Sequence, residues 1–223
     1  MIPLAKADRN GGGAATIALN GSDDLSAIAR RRFDESICAA ELFFASEADA
    51  VSAAALDMAR HFERGGRLLV FGEGADATDA QHVSVEFVHP VIVGKRALPA
   101  IALSSDVATL SAGPAGALAA SVRTFGRPTD IAMGIASRQS EGVERALETA
   151  SSLGMLTIYI GAAKADHSPA RAERHCFVLP GADVLIAQEV GETLYHVLWE
   201  LVHLFLEHGV AETRQVLSPV PAT

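Results

Sequence analysis

Five short apolar runs, separated for the most part by stretches of helical character, do most to limit what this chain can fold into. The clearest is Leu68-Leu69-Val70-Phe71, followed at once by Gly72 and Gly74. No polar residue alternates with the apolar ones, so a strand here has both faces buried and leads into a glycine-rich turn. Similar runs recur around 99–103, 130–135, 155–160 and 175–179, with helical pattern between most of them, as over 140–153. Strand–helix alternation with fully apolar strands predicts an α/β fold: a parallel sheet covered by helices on both faces. A long last helix is expected over 184–208.

Helical pattern also fills residues 24–64, ahead of the first strand. Ser22, followed by Asp23 and Asp24, suits a helix N-cap with acidic residues in the first turn. Ser46 with Asp49 reads as a second cap and predicts two helices rather than one. Phe33, Ile37, Ala40 and Phe44 form an apolar stripe, and Gly65 and Gly66 close the segment. The expected organisation is a flexible tail over 1–21, a single domain over 22–210 including the helical extension, and a loose tail over 211–223.

Composition removes several function classes. The formal net charge is −9 with 20% charged residues. That argues against a broad surface for nucleic acid or an anionic membrane, but leaves room for a local anion site. No apolar run approaches the roughly 18 residues of a membrane helix, and no signal-peptide pattern opens the chain, so a cytoplasmic protein is expected. Cys38 and Cys176 are the only cysteines. Both lie in apolar stretches and read as buried thiols, with no disulfide framework or Cys-type metal site.

The candidate chemistry sits in two spacings. His82 and Glu86 are four residues apart, and Gln188 and His196 eight apart. On helices each pair shares one face. Two imidazoles, a carboxylate and an amide could hold a divalent metal, and Glu86 with His196 could work as an acid/base pair. Open α/β sheets bind ligands outside the carboxyl ends of the strands, which here means segments 72–77, 104–107 and 135–141. Gly72 and Gly74 free backbone N–H groups for an anion, yet Glu73 and Asp76 put negative charge beside them. Arg138 could clamp an anion bidentately or pair with Asp76. Ser137 and Ser140 supply hydroxyls.

Together these residues resemble a known family. Gly65-Gly66-Arg67, then Phe71-Gly72-Glu73-Gly74, then Asp79-Ala80 with His82 and Glu86, look like the sugar-isomerase (SIS) domain of phosphoheptose isomerases. Gln188-Glu189 with His196 matches the family's last helix. The resemblance covers about 24–208. It implies a three-layer αβα sandwich around a five-stranded parallel sheet, and a homotetramer with sites between subunits. It also implies aldose–ketose isomerisation of a heptose 7-phosphate, with zinc in many members. His82, Glu86, Gln188 and His196 fall on the metal and acid/base positions, and Asp106 matches a family Asp with one residue of slippage. The departures lie in the phosphate loops. Asp76 stands where the family has Ser, and Ala136-Ser137-Arg138-Gln139-Ser140-Glu141 replaces Ser-Thr-Ser-Gly-Asn-Ser. Gly191 replaces a family His. The expectation is a divergent isomerase-like protein that binds a sugar phosphate or related sugar. The alternatives are an adaptor like the branch that binds the replication initiator DnaA, and a sugar-phosphate sensor.

Overall fold

The computed structural model describes residues 25–103, 114–163, 173–181 and 183–209. Asp106 and the two expected tails lie outside these residues. The elements run α1 (Leu25–Glu63), β1 (Leu68–Gly72), α2 (Asp76–Val88), β2 (Ala100–Ala102), α3 (Pro114–Phe125), β3 (Ile131–Ala136), α4 (Glu141–Ser152), β4 (Leu156–Gly161), β5 (His175–Val178) and α5 (Val184–His208). Each of the five apolar runs forms a strand; β1, β3 and β4 are buried on both faces, while β2 and β5, at the sheet edges, are partly exposed. All neighbours pair in parallel, in the order β2-β1-β3-β4-β5.

Helices cover both faces of the sheet. Leu68, Val70, Ile131, Met133 and Ile158 pack with α1, α2 and α5. Leu69, Phe71, Ala132 and Tyr159 pack with α3 and α4. The period-two alternation along β1 and β3 sorts their side chains between these two cores. Asp130, just before β3, ties the strand starts together. It is buried, and it accepts hydrogen bonds from the Arg67 and Arg127 N–H groups at 2.8 and 3.1 Å and from the Arg67 guanidinium at 2.6 Å.

Two expectations are corrected. The segment before β1 is one helix of 39 residues, not two. Ser46 does not cap; its hydroxyl donates back to Phe43 O at 3.0 Å, a bond that accommodates serine inside a helix. The C-terminal half of α1 buries Val51, Ala54, Ala55, Met58, Ala59 and Phe62. The N-terminal half stays largely uncovered: Phe33 is 66% exposed and Ile37 43%. Cys38 is therefore exposed rather than buried, and Cys176 is half-buried. Among the described residues no helix is long and apolar enough to cross a membrane.

Candidate active site

The strand order places the site. Chain direction across the sheet reverses between β1 and β3, since β2 lies on one side of β1 and β3 to β5 on the other. Such a switch point opens a crevice at the carboxyl ends of the strands. β1 ends at Gly72, paired with Ile135 near the end of β3. A Cβ at Gly72 would sit 2.5 Å from the Asp76 carbonyl oxygen, so only glycine lets α2 start this close to the strand. Gly74 supplies the left-handed turn, with φ +60°.

That turn carries Asp76 across the crevice to the end of β3, where its Oδ2 accepts the Ser137 N–H at 3.0 Å. Burial raises the Asp76 carboxyl above its ordinary value; hydrogen bonds from Ser137 oppose this, and the neighbouring Asp79 adds to it. Glu73 reaches the same side, where its Oε2 accepts the Ser140 hydroxyl at 2.6 Å. The Ser140 oxygen in turn accepts the Val143 N–H at 3.1 Å as the N-cap of α4. Arg138 is exposed and forms no ion pair with Asp76. Its charge still draws the Asp76 carboxyl down, against the effect of burial.

The other wall is α5. Gln188 Nε2 donates to Asp79 Oδ1 at 3.0 Å, the Tyr195 hydroxyl meets His82 Nδ1 at 3.0 Å, and Trp199 Nε1 donates to Glu86 O at 2.9 Å. Residue numbers rise together on both helices, so α2 and α5 run in the same direction where they touch. This ladder brings His82 and Glu86 together with His196, and sets Gln188 beside Asp79. One ligand atom from each of His82, Glu86 and His196 lies within 4.8 Å of the others. His82 Nε2 is 3.4 Å from Glu86 Oε1, and the two imidazole centroids are 5.3 Å apart. Two imidazoles and one carboxylate suit a divalent ion such as zinc and leave coordination positions open. Gln188 has its amide nitrogen engaged by Asp79, which leaves the carbonyl oxygen as its donor to a metal.

A small cavity lies between the anion-loop side and this cluster, lined among others by Asp76, Asp79, Ser137, Gln188, Glu192 and Tyr195. Its volume is about 50 Å³. Asp79, Glu192 and Tyr195 were not among the residues expected from sequence. Helical spacing carried the signal: Asp79 precedes His82 by three, while Gln188, Glu192 and Tyr195 fall on one face of α5. Asp79 is buried, and that burial raises its carboxyl, against the pull of the Gln188 hydrogen bond and with a further push from Glu192.

Known proteins match this arrangement. Residues 33–160 match the SIS domain. The chain is 34% identical over 179 residues to a phosphoheptose isomerase of Thermodesulfovibrio yellowstonii, covering 78% of this chain and 89% of that one. It belongs to the SIS-domain family, with the phosphoheptose isomerases. The structure of a phosphoheptose isomerase from Francisella tularensis superposes with a TM-score of 0.70 at 28% identity, over 81% of this chain and 98% of that one. HobA of Helicobacter pylori superposes with a TM-score of 0.51 at 13% identity, over 84% of this chain and 98% of that one, a likeness of fold alone. The chain is thus a phosphoheptose-isomerase-like SIS protein.

Proposed function

We propose that this protein interconverts an aldose and a ketose, with a divalent metal, zinc by preference, bound by His82, Glu86, His196 and Gln188. The observation that carries this reading is the convergence of one ligand atom from each of His82, Glu86 and His196 within 4.8 Å, from helices more than a hundred residues apart in sequence. The metal, when bound, polarises the sugar oxygens and so acidifies the carbon-bound hydrogen. Glu86 takes the proton from C2 of the open-chain aldose and returns it to C1 of the enediol, giving the ketose. His196 moves the matching proton between the two oxygens. Gln188 and Asp79 hold the floor of the site, and Tyr195 orients His82.

His196 is exposed in the single subunit. Catalysis needs water excluded, which supports completion of the site by a second copy within a homotetramer. The relatives' name supports a seven-carbon sugar as the carbon skeleton. A soluble cytoplasmic enzyme acting without nucleic acid or membrane fits the acidic composition.

The test is incubation of the zinc-loaded protein in deuterium oxide with heptoses and hexoses, phosphorylated and not. NMR should show deuterium entering at C1 or C2 of one sugar, together with isomer formation. Glu86→Gln should abolish exchange. His82→Ala should lose the approximately one metal ion expected per subunit. Full exchange in Glu86→Gln would reject the mechanism. Metal-free tetramers that capture an initiator protein and exchange no sugar would favour the adaptor.

A further inference from the structure

The place where this family resemblance puts a phosphate is already filled by the protein's own carboxylates. Asp76 Oδ2 sits 3.0 Å from the Ser137 N–H, the kind of backbone donor that an anion would take. Glu73 Oε2 takes the Ser140 hydroxyl at 2.6 Å. Both hydroxyl-bearing loop residues expected to hold an anion are therefore engaged by carboxylates from the turn between β1 and α2. The Ser140 oxygen is further committed to the Val143 N–H. The cavity beside them adds Asp79 and Glu192 to a largely apolar lining, with no Lys or Arg among the described residues that line it. Arg138 is exposed, and Glu141 is ion-paired with Arg145.

Resting on the isomerase reading for its site, we infer that the substrate is a sugar whose end remote from the reacting carbons bears hydrogen-bond donors, hydroxyl or ammonium, and no phosphate. A dianion entering here meets the half-buried Asp76 carboxylate on its own backbone donor. A hydroxyl or ammonium meets acceptors: the carboxylates of Asp76 and Glu192. The same reversal of charge explains why the metal-site residues match the family while the loops do not. The reacting end of the sugar is handled by His82, Glu86 and His196, and only the remote end is read by Asp76 and Glu192.

The experiment is calorimetric titration of the zinc-loaded protein and of Asp76→Ser with inorganic phosphate, sedoheptulose 7-phosphate and sedoheptulose. Asp76→Ser frees the Ser137 N–H and removes the charge. Wild type should bind sedoheptulose at least about ten-fold more tightly than its 7-phosphate, and Asp76→Ser should gain at least about ten-fold in affinity for inorganic phosphate. Asp76→Asn, with the same shape, serves as the second variant should Asp76→Ser fold poorly, and should also gain phosphate affinity. A 7-amino-7-deoxy derivative of sedoheptulose, compared with sedoheptulose itself, separates the ammonium from the hydroxyl source. The inference is overturned if wild type prefers the 7-phosphate, if that preference vanishes in Arg138→Ala, or if neither Asp76 variant gains phosphate affinity. Deuterium exchange at C1 of the preferred ketose, scored in parallel, reports on the isomerase reading separately. A protein that prefers and isomerises the 7-phosphate fails this inference only. One whose Asp76 variants gain phosphate affinity, but which exchanges no sugar, fails the isomerase reading only.

Discussion

Tyr195 has one task that its position defines. Its hydroxyl lies 3.0 Å from His82 Nδ1, so the outward ring nitrogen Nε2 is the one left to face Glu86 and a metal. A hydrogen bond to the far nitrogen of a ligating histidine fixes its tautomer and ring angle, and its loss commonly weakens metal binding about 10–100-fold. Tyr195→Phe keeps the ring packing against both histidines, whose centroids lie 5.3 and 5.0 Å from it. Its zinc affinity, measured by chelator competition, should fall by about that factor while the melting temperature changes little. An unchanged affinity would reduce Tyr195 to a packing residue. Asp183, at the start of the same helix, has a different task. It N-caps α5 and pairs with Arg32 at 2.8 Å, so its work is structural.

At the scale of elements, the positions that could be read from sequence were those where one physical rule acts alone. The apolar runs at β1, β3 and β4 became strands because burial on both faces admits nothing else. The break proposed at Ser46 failed because the apolar stripe from Val51 to Phe62 continues the same helix face onto α5, and packing outweighs one capping signal. The self-filled anion loop was not legible either, because Asp76–Ser137 and Glu73–Ser140 span more than sixty residues and appear only once β1 and β3 pair.

Two joints between elements give measurable consequences. Asp130 is 1% exposed and binds the Arg67 guanidinium and two backbone N–H groups. Asp130→Ala strands these donors and should cost about 3–5 kcal/mol in urea unfolding; a loss near zero would mean that water replaces the carboxylate. Asp57 joins α1 to β5. Burial pushes its carboxyl up, but hydrogen bonds from His175 at 3.1 Å and Arg60 at 2.9 Å outweigh that and hold it below its ordinary value of 3.8. A carboxyl depressed by folding adds stability that is present above its unfolded value and disappears as pH falls through the folded one. The stability gap between wild type and Asp57→Asn should therefore be widest near neutral pH and shrink below about pH 4. A gap that stays constant from pH 7 to pH 3 would assign the joint to packing.

For the whole molecule, the uncovered part of α1 and the exposed His196 make one argument. Phe33 and Ile37, one turn apart, are 66% and 43% exposed, and Leu42 is 68% exposed. Apolar side chains repeated along one long helix are costly to leave in water, at about 25 cal/mol per Å² of apolar surface. The same end of α1 touches α5 beside the site: Arg32 pairs with Asp183, and Ser36 with Glu189 next to Gln188. A second copy seated on this half-helix would cover the apolar stripe close to the helix that carries His196. Assembly and activity should then fall together. Phe33→Asp with Ile37→Asp should shift the mass measured by light scattering from tetramer towards smaller species. Sugar isomerisation should drop with the tetramer fraction, while zinc content and the far-UV spectrum of each subunit are kept. A fully active monomer would show that one chain closes its own site, and the exposed stripe would then have no part in catalysis.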